Sequence, residues 1–455
     1  MHHYQEKFDD LRVKYPVFVF EDFDYTTHQN RLIANFRFTI GTTLAFHPVL
    51  EIQLPSHAST IVHDTPLIRN LVFHMGMIEL ISYWKCACPP QVRIKPGYLS
   101  SVQIEWWKKL YFNGLGEFFY LNGIQANLND FMQITCDNAE NLPVVPVELH
   151  PGYLVPIGGG KDSVVTLELL KKTGKTCVPF IINPRGATVK CVTTAGYLIP
   201  EIITMKRVID PELLKLNDLG YLNGHTPFSA MLAFSSITAA VLSGYEAIAL
   251  SNEASANEST VPNSTINHQY SKSYEFESDF RKYYQTYITP SVNYFSFLRP
   301  LNELQIASLF ASFPEYHPIF RSCNVGSKTD TWCGSCPKCL FVYAMLSPFL
   351  PLTFVSRIFN KDLFSDKSLI AYLDELTGIS EVKPFECVGT LDEVKAALAF
   401  TAQRDDYKNL PLIVHYIKSH RPYSVDSFWN LLKDFNKEHY LSHLEEQLLT
   451  EAIYV

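Results

Sequence analysis

An excess of positive charge is what this chain most clearly lacks. Its 38 Lys and Arg stand against 46 Asp and Glu, a net charge of −8. Surfaces that hold nucleic acid advertise themselves as basic patches or stripes, so no nucleic-acid partner is expected. Long apolar runs are missing as well. FSAMLAFSSITAAVL at 228–242 and LFVYAMLSPFLPLTFV at 340–355 fall short of the about 20 residues a membrane span needs, and Pro348 and Pro351 break the second. No membrane partner is expected either. The opening MHHYQEKFDDLRVK has no apolar core of a secretory signal, and there are no repeats or low-complexity segments. With 47% hydrophobic and 18% charged residues, composition predicts a globular chain with a large core. Ten cysteines without a secretion signal point to a cytoplasmic protein that uses thiols for metal or catalysis rather than disulfides.

A length of 455 residues suggests two to three domains. Residues 1–150 read as an α+β region. RLIANFRFTI at 31–40 alternates Leu32, Ala34, Phe36, Phe38 and Ile40 with more polar positions, the period of a half-buried strand. PVLEIQL reads as a second strand, TPLIRNLVFHMGMIELISYW as a helix, and SSVQIEWWKKLYFNGLGEFFYLNGI begins as another helix. From 151 to 358 strands and helices alternate: GYLVPI, a helix over 161–173, VPFIIN, EIITMK near 201–206, a helix over 226–244 and EAIALSN. That alternation predicts a parallel sheet covered on both faces, with the ligand beyond the carboxyl ends of its strands. Residues 359–455 read as a helical C-terminal cap. Three loops are then expected at one crevice: the glycine run after the first of these strands, NPRGAT after the second and SNEASANE after the last.

The glycine run is LVPIGGGKDSVVTLELL at 154–170. Gly158, Gly159 and Gly160 permit backbone angles closed to other residues, so successive N–H groups can form a nest for phosphate at a helix start. A Walker A loop requires G-x-x-x-x-G-K-[ST], which neither this segment nor GSKT at 326–329 satisfies. GGGKDS resembles the S-G-G-x-D-S PP-loop of ATP pyrophosphatases, with Gly158 in place of the serine. Cys323, Cys333, Cys336 and Cys339 form a second constellation, in which four soft ligands suit a closed, structural zinc site; redox use and simple packing are the alternatives. In SNEASANES, Glu253 and Glu258 could hold the Mg²⁺ that accompanies ATP, or orient ribose, or cap a solvated loop. His268 and Lys272 are four apart, would share a helical face, and could act as acid or base, contact phosphate or sit on the surface. Arg185, Lys206, Arg207 and Arg299 are candidates for anionic groups or for plain structural pairing.

Along nearly its whole length the chain resembles one family, the ATP-dependent UDP-N-acetylmuramoyl-L-alanyl-L-glutamate epimerases of cell-wall synthesis. The segments that carry the likeness are SYWKCACPP at 82–90, LYFNGLGEFFYLNG at 110–123, PIGGGKDS at 156–163, SNEASANE at 251–258, NHQYSKSYEFE at 267–277, CGSCPKC at 333–339 and KPFECVGT at 383–390. The resemblance implies a parallel-sheet PP-loop ATP pyrophosphatase domain with an N-terminal α+β domain and the helical cap. It also implies a small-molecule partner, the UDP-linked muramoyl dipeptide, whose terminal L-glutamate is inverted while ATP yields AMP and diphosphate. Gly158, Gly159, Gly160 and Ser163 would cradle pyrophosphate, Lys161 would neutralise it, and Asp162 would orient the loop or the metal. A nucleobase-modifying enzyme of the cyano-deazaguanine synthase kind and a tRNA thiolation enzyme would use the same ATP site.

Overall fold

The computed structural model describes residues 4–55, 65–420 and 425–453. The chain divides into two compact units that interleave along the sequence: residues 1–154, 200–248 and 265–294 in the first, and 155–199, 249–264 and 295–455 in the second. Among the described residues eleven strands are formed: β1 Val17–His28, β2 Arg31–Ile40, β3 Leu44–Phe46, β4 Val49–Gln53, β5 Gln91–Ile94, β6 Gln133–Cys136, β7 His150–Pro156, β8 Cys177–Ile182, β9 Ile203–Val208, β10 Tyr245–Leu250 and β11 Asn293–Ser296. The division between units falls inside β7, β10 and β11.

The first unit is built on an antiparallel meander. β2 pairs with β1 and β4, and β3 adds to β2. β5 joins β1 in parallel, and β6 joins β5 in the same sense. Leu32, Ala34, Phe36, Phe38 and Ile40 are all buried, as their alternation predicts. The segment EIITMK differs from expectation. As β9 it starts at Ile203 and on one side runs antiparallel to β4, with Met205 opposite Ile52, so it joins the meander there. β7 and β10 do pair in parallel.

Helix Pro66–Trp84 covers the meander. Thr65 caps it by accepting from the Ile68 N–H, and Pro66 occupies the first turn, where its missing N–H costs nothing. A Cβ at Gly76 would lie 2.5 Å from Phe20 and 2.8 Å from Phe36, so only glycine lets the helix approach the sheet this closely. Phe73 stacks on Phe20 with ring centroids 6.1 Å apart. On its other side the helix packs on helix Phe228–Ser243, which leaves it buried almost all round.

In the second unit, helix Lys161–Lys171 follows the glycine loop and packs against helix Glu303–Ala311. Among the described residues from 359 onward this unit carries helices and no strand, the last helix being His443–Ile453, in keeping with a helical C-terminal part. No helix among the described residues is long and apolar enough to cross a membrane.

Candidate active site

The glycine loop gives each glycine a different reason. Gly159 has φ +81°, and a Cβ there would sit 3.1 Å from the Thr188 backbone nitrogen. Gly160 caps helix Lys161–Lys171. Gly158 has no such constraint: a Cβ on it would meet nothing within 4 Å, so open space borders the loop there. The loop is held by the Arg321 N–H, which donates to the Gly159 carbonyl at 2.8 Å, and by Arg185, whose guanidinium donates to the Gly158 carbonyl at 3.3 Å. Thr188 and Ala187 bring the NPRGAT segment against the glycines, as the crevice reading predicts. The Ser163 hydroxyl donates to the Gly160 carbonyl at 3.1 Å.

Lys161 lies inward. Its side chain is 3% exposed and ion-paired with Asp162 and with Glu303, itself 2% exposed. Burial alone would lower the Lys161 ammonium, but the two carboxylates outweigh it and hold it protonated. Glu303 is pushed up by burial, with the Asp162 and Glu253 carboxylates adding to the effect and Lys161 opposing it. This is a carboxylate-rich interior served by few cations. Asn302 and Gln305 form the capping box that starts the Glu303 helix, and the Glu303 N–H donates to Glu393 at 2.8 Å.

Glu253 and Glu258 separate on folding. Glu253 is buried, with its carbonyl accepting from Arg299 at 2.8 Å and its carboxylate near Glu303 and Glu393. The Glu258 carboxylate is ion-paired with Lys383. Arg299 is fully buried and Arg207 forms a 2.8 Å ion pair with buried Glu79, so both are structural partners.

The four cysteines converge. Cys323 and Cys336 have sulfurs 3.9 Å apart, Cys333 and Cys339 3.7 Å apart, and all four lie within 4.8 Å of one another. Four sulfurs at 2.3 Å from one centre in a tetrahedron would be about 3.8 Å apart, so the residues fit zinc. Hydrogen bonds, from Cys339 first, push Cys336 down to about 5, while the same bond and burial push Cys339 up. Arg321, which braces Gly159, stands two residues before Cys323.

In the first unit the expected helical face of His268 and Lys272 does not form. A single turn, Tyr270–Lys272, follows His268, and the helix proper starts at Tyr274 because Ser273 caps it by accepting from the Phe276 N–H. The Asn267 side chain, accepting from the Gln269 N–H at 2.7 Å, sets a separate turn beforehand. His268 instead directs Nδ1 at Glu117, with which it is hydrogen-bonded, and His225 places its own Nδ1 3.5 Å from the same carboxylate oxygen. Burial first, then His268, push His225 down to about 4. Lys85, driven to about 8 by burial and Arg207, donates to the Gly224 carbonyl beside it.

Glu303, Glu393, Glu117, His225 and Lys85 were not singled out from the sequence. Lys85 and Glu117 stand in SYWKCACPP and LYFNGLGEFFYLNG, where a signal existed. His225 and Glu303 carried none.

Residues 10–297 match the MurL N-terminal domain and residues 319–427 the MurL C-terminal domain. Curated relatives include the UDP-N-acetyl-alpha-D-muramoyl-L-alanyl-L-glutamate epimerase of Xanthomonas oryzae pv. oryzae, 35% identical over 76% of this chain and 78% of that protein. Proteins of the same name from a Micromonospora species, at 34% over 81% of this chain and 82% of the relative, and from Salinispora tropica, at 33% over 81% and 80%, are similar to it as well. No solved structure matches the chain.

Proposed function

Since this chain belongs to the MurL family and is an epimerase, hence an isomerase, we propose that it inverts the terminal L-glutamate of UDP-MurNAc-L-Ala-L-Glu in the cytoplasm, using ATP through an acyl-adenylate. The chemistry gives ATP a purpose. An α-proton beside a carboxylate is very weakly acidic, because the carbanion would form next to a negative charge. Attack of that carboxylate on the α-phosphorus of ATP expels diphosphate and leaves an ester-like carbonyl. A positioned base then removes the α-proton, and the electron pair moves into an enolate. Return of a proton to the opposite face inverts the centre, and water releases AMP.

In this reading the N–H groups of Gly158, Gly159 and Gly160 cradle the diphosphate, with Ser163 beside them. Lys161 and Asp162 act as a pair: Glu303 fixes the Lys161 ammonium under the loop, and Asp162, the more exposed partner, faces the nucleotide. Glu253 would meet the Mg²⁺ that screens the phosphates; Glu258 fits that part poorly because Lys383 holds it. Zinc on the four cysteines would fix the segment that braces Gly159. His268 and Lys272 are the base candidates. The observation that carries the reading is the family match combined with the open space beside Gly158, where a glycine without a packing reason leaves room for a ligand.

The deciding experiment measures AMP and diphosphate release, and chirality of the glutamate, with the UDP-muramoyl dipeptide, a deazaguanine acid and tRNA in parallel. AMP formation with D-glutamate from the dipeptide alone is expected. Turnover of the deazaguanine acid or tRNA in its place would reassign the site. Elemental analysis should find about one zinc per chain, and Cys336→Ser should lower that content together with stability.

A further inference from the structure

The Glu117 cluster assembles from three remote segments of the first unit. Glu117 lies in the first turn of helix Gly116–Asn122, His225 just ahead of helix Phe228–Ser243, and His268 just ahead of the turn at Tyr270. The two imidazole rings lie side by side, 4.6 Å apart between centroids and tilted by 49°. Both turn Nδ1 toward one oxygen of the same carboxylate. Side chains of His225, His268 and Glu117 are 23%, 10% and 11% exposed, sheltered yet reachable.

One histidine beside one glutamate is ordinary pairing. Here two nitrogens and one oxygen, from three parts of the chain, lie within 4.8 Å of one another, which is the arrangement of three ligands around a metal ion. Zinc bonds imidazole nitrogen at about 2.0–2.1 Å and carboxylate oxygen at a similar length, so ligand atoms in a tetrahedron stand about 3.4 Å apart. The His225 Nδ1 is 3.5 Å from the Glu117 oxygen, so that edge already has the required width. The His268 edge is drawn in by a hydrogen bond, and an ion would take the place of its hydrogen.

Donor type and local charge select the ion. The ammonium groups of Lys85 and Lys272 act on His225 and oppose any cation, so attraction to one carboxylate is not enough to hold it. Bonds from nitrogen must. Mg²⁺ and Ca²⁺, which bind through oxygen, are disfavoured on that ground, whereas borderline ions such as Zn²⁺, Co²⁺ and Fe²⁺ take imidazole readily. We propose that Glu117, His225 and His268 form a metal site, in addition to the four cysteines, for a divalent transition ion bound by the two Nδ1 atoms and one carboxylate oxygen. Three protein ligands leave a coordination position open to water or to a ligand atom, unlike the closed set of four sulfurs. Occupied, the site takes the His268 Nδ1 out of acid–base service and leaves that part to Lys272.

The test saturates the full chain with Zn²⁺ or Co²⁺ alone, removes free ion by gel filtration, and reads metal content and the visible spectrum. Cobalt on cysteine gives a sulfur-to-metal charge-transfer band that cobalt on two nitrogens and one oxygen does not, so the two sites are counted separately. Wild type should hold about two ions per chain, one for each ligand set. His225→Ala should lose only the ion without sulfur, and Cys336→Ser only the one with it. Glu117→Gln should weaken the first by about 10²-fold or more, beyond the usual cost of an outer-shell change, and excess Mg²⁺ should not displace it. A wild type that binds no ion outside the cysteines overturns the inference, as does a second ion that persists in His225→Ala or yields to Mg²⁺. Where a variant fails to fold by circular dichroism, the wild type loaded with ¹¹³Cd and labelled with ¹⁵N-histidine decides: two imidazole Nδ1 signals coupled to one cadmium are expected, and their absence overturns the site. A missing sulfur-bound ion fails the cysteine reading alone, and no outcome here depends on epimerase activity.

Discussion

The surroundings of Lys161 and of Glu117 solve opposite electrostatic problems. Around Lys161 the charges are buried and committed to one another: the ammonium is 3% exposed, Glu303 is 2% exposed, and further carboxylates crowd in from Glu253 and Glu393. Around Glu117 the groups are half-sheltered, and two of the three are imidazoles, of which His225 is pushed down to about 4 by burial and by His268. The first arrangement locks its charges to one another; the second leaves its groups nearer to solvent. The difference teaches that burial and side-chain type, more than charge itself, separate a fixed framework from a responsive one.

The comparison breaks most severely if the Lys161 framework proves dispensable. Glu303→Ala leaves a buried ammonium with Asp162 alone, and removing one partner of a buried pair costs about 3–5 kcal/mol. Urea unfolding of this variant should show a loss of that size, and a loss below about 1 kcal/mol would mean the pair is solvated.

Acid should attack the first unit through its histidines. His74 is fully buried, its Nδ1 2.9 Å from the Asn70 carbonyl and its Nε2 3.0 Å from the Tyr283 hydroxyl, and burial pushes it from 6.5 down to about 4. Between those values the unfolded chain binds a proton that the folded histidine refuses, so stability is complete above about 6.5 and falls as pH drops toward 4. His74 alone should contribute roughly 3 kcal/mol to that slope. Denaturant midpoints measured from pH 7 to 4 should flatten in His74→Gln, which can keep both hydrogen bonds; an unchanged slope would place the acid sensitivity elsewhere.

Asp162→Ala should leave the fold in place, because Asp162 is 29% exposed while Glu303 still pairs Lys161. AMP formation should nevertheless fall by about 10²-fold or more, the cost of losing a placed electrostatic group. Normal turnover in folded protein would remove the loop from the chemistry. The smallest effect is expected for Gly158→Ser. Nothing lies within 4 Å of a Cβ there, so stability should change by less than about 0.5 kcal/mol, while the added hydroxyl should lower KM for ATP a few-fold. A destabilised variant would show that the space beside the loop is not open.

What the sequence determined by itself was whatever its local periodicity and contiguous motifs encode. The alternation over RLIANFRFTI predicted β2 from Arg31 to Ile40 because a strand's two faces repeat every second residue. GGGKDS predicted a strand, a tight turn and a helix start, and the turn needs Gly159 for its positive φ. Close spacing of Cys333, Cys336 and Cys339 predicted a cluster, since a short loop cannot carry them far apart. Tertiary structure alone decided the rest. EIITMK reads like any parallel strand until β4 is there to pair with it in the opposite sense, and VFVFEDFDYTTH hides strand β1 because its second half alternates half-exposed and exposed side chains. Glu303 reaches Lys161 across 142 positions, and His268 reaches Glu117 across 151. No window of sequence contains both members of either pair; their meeting depends on the packing of whole helices, which is why the charges that matter most at both places became visible only in the folded chain.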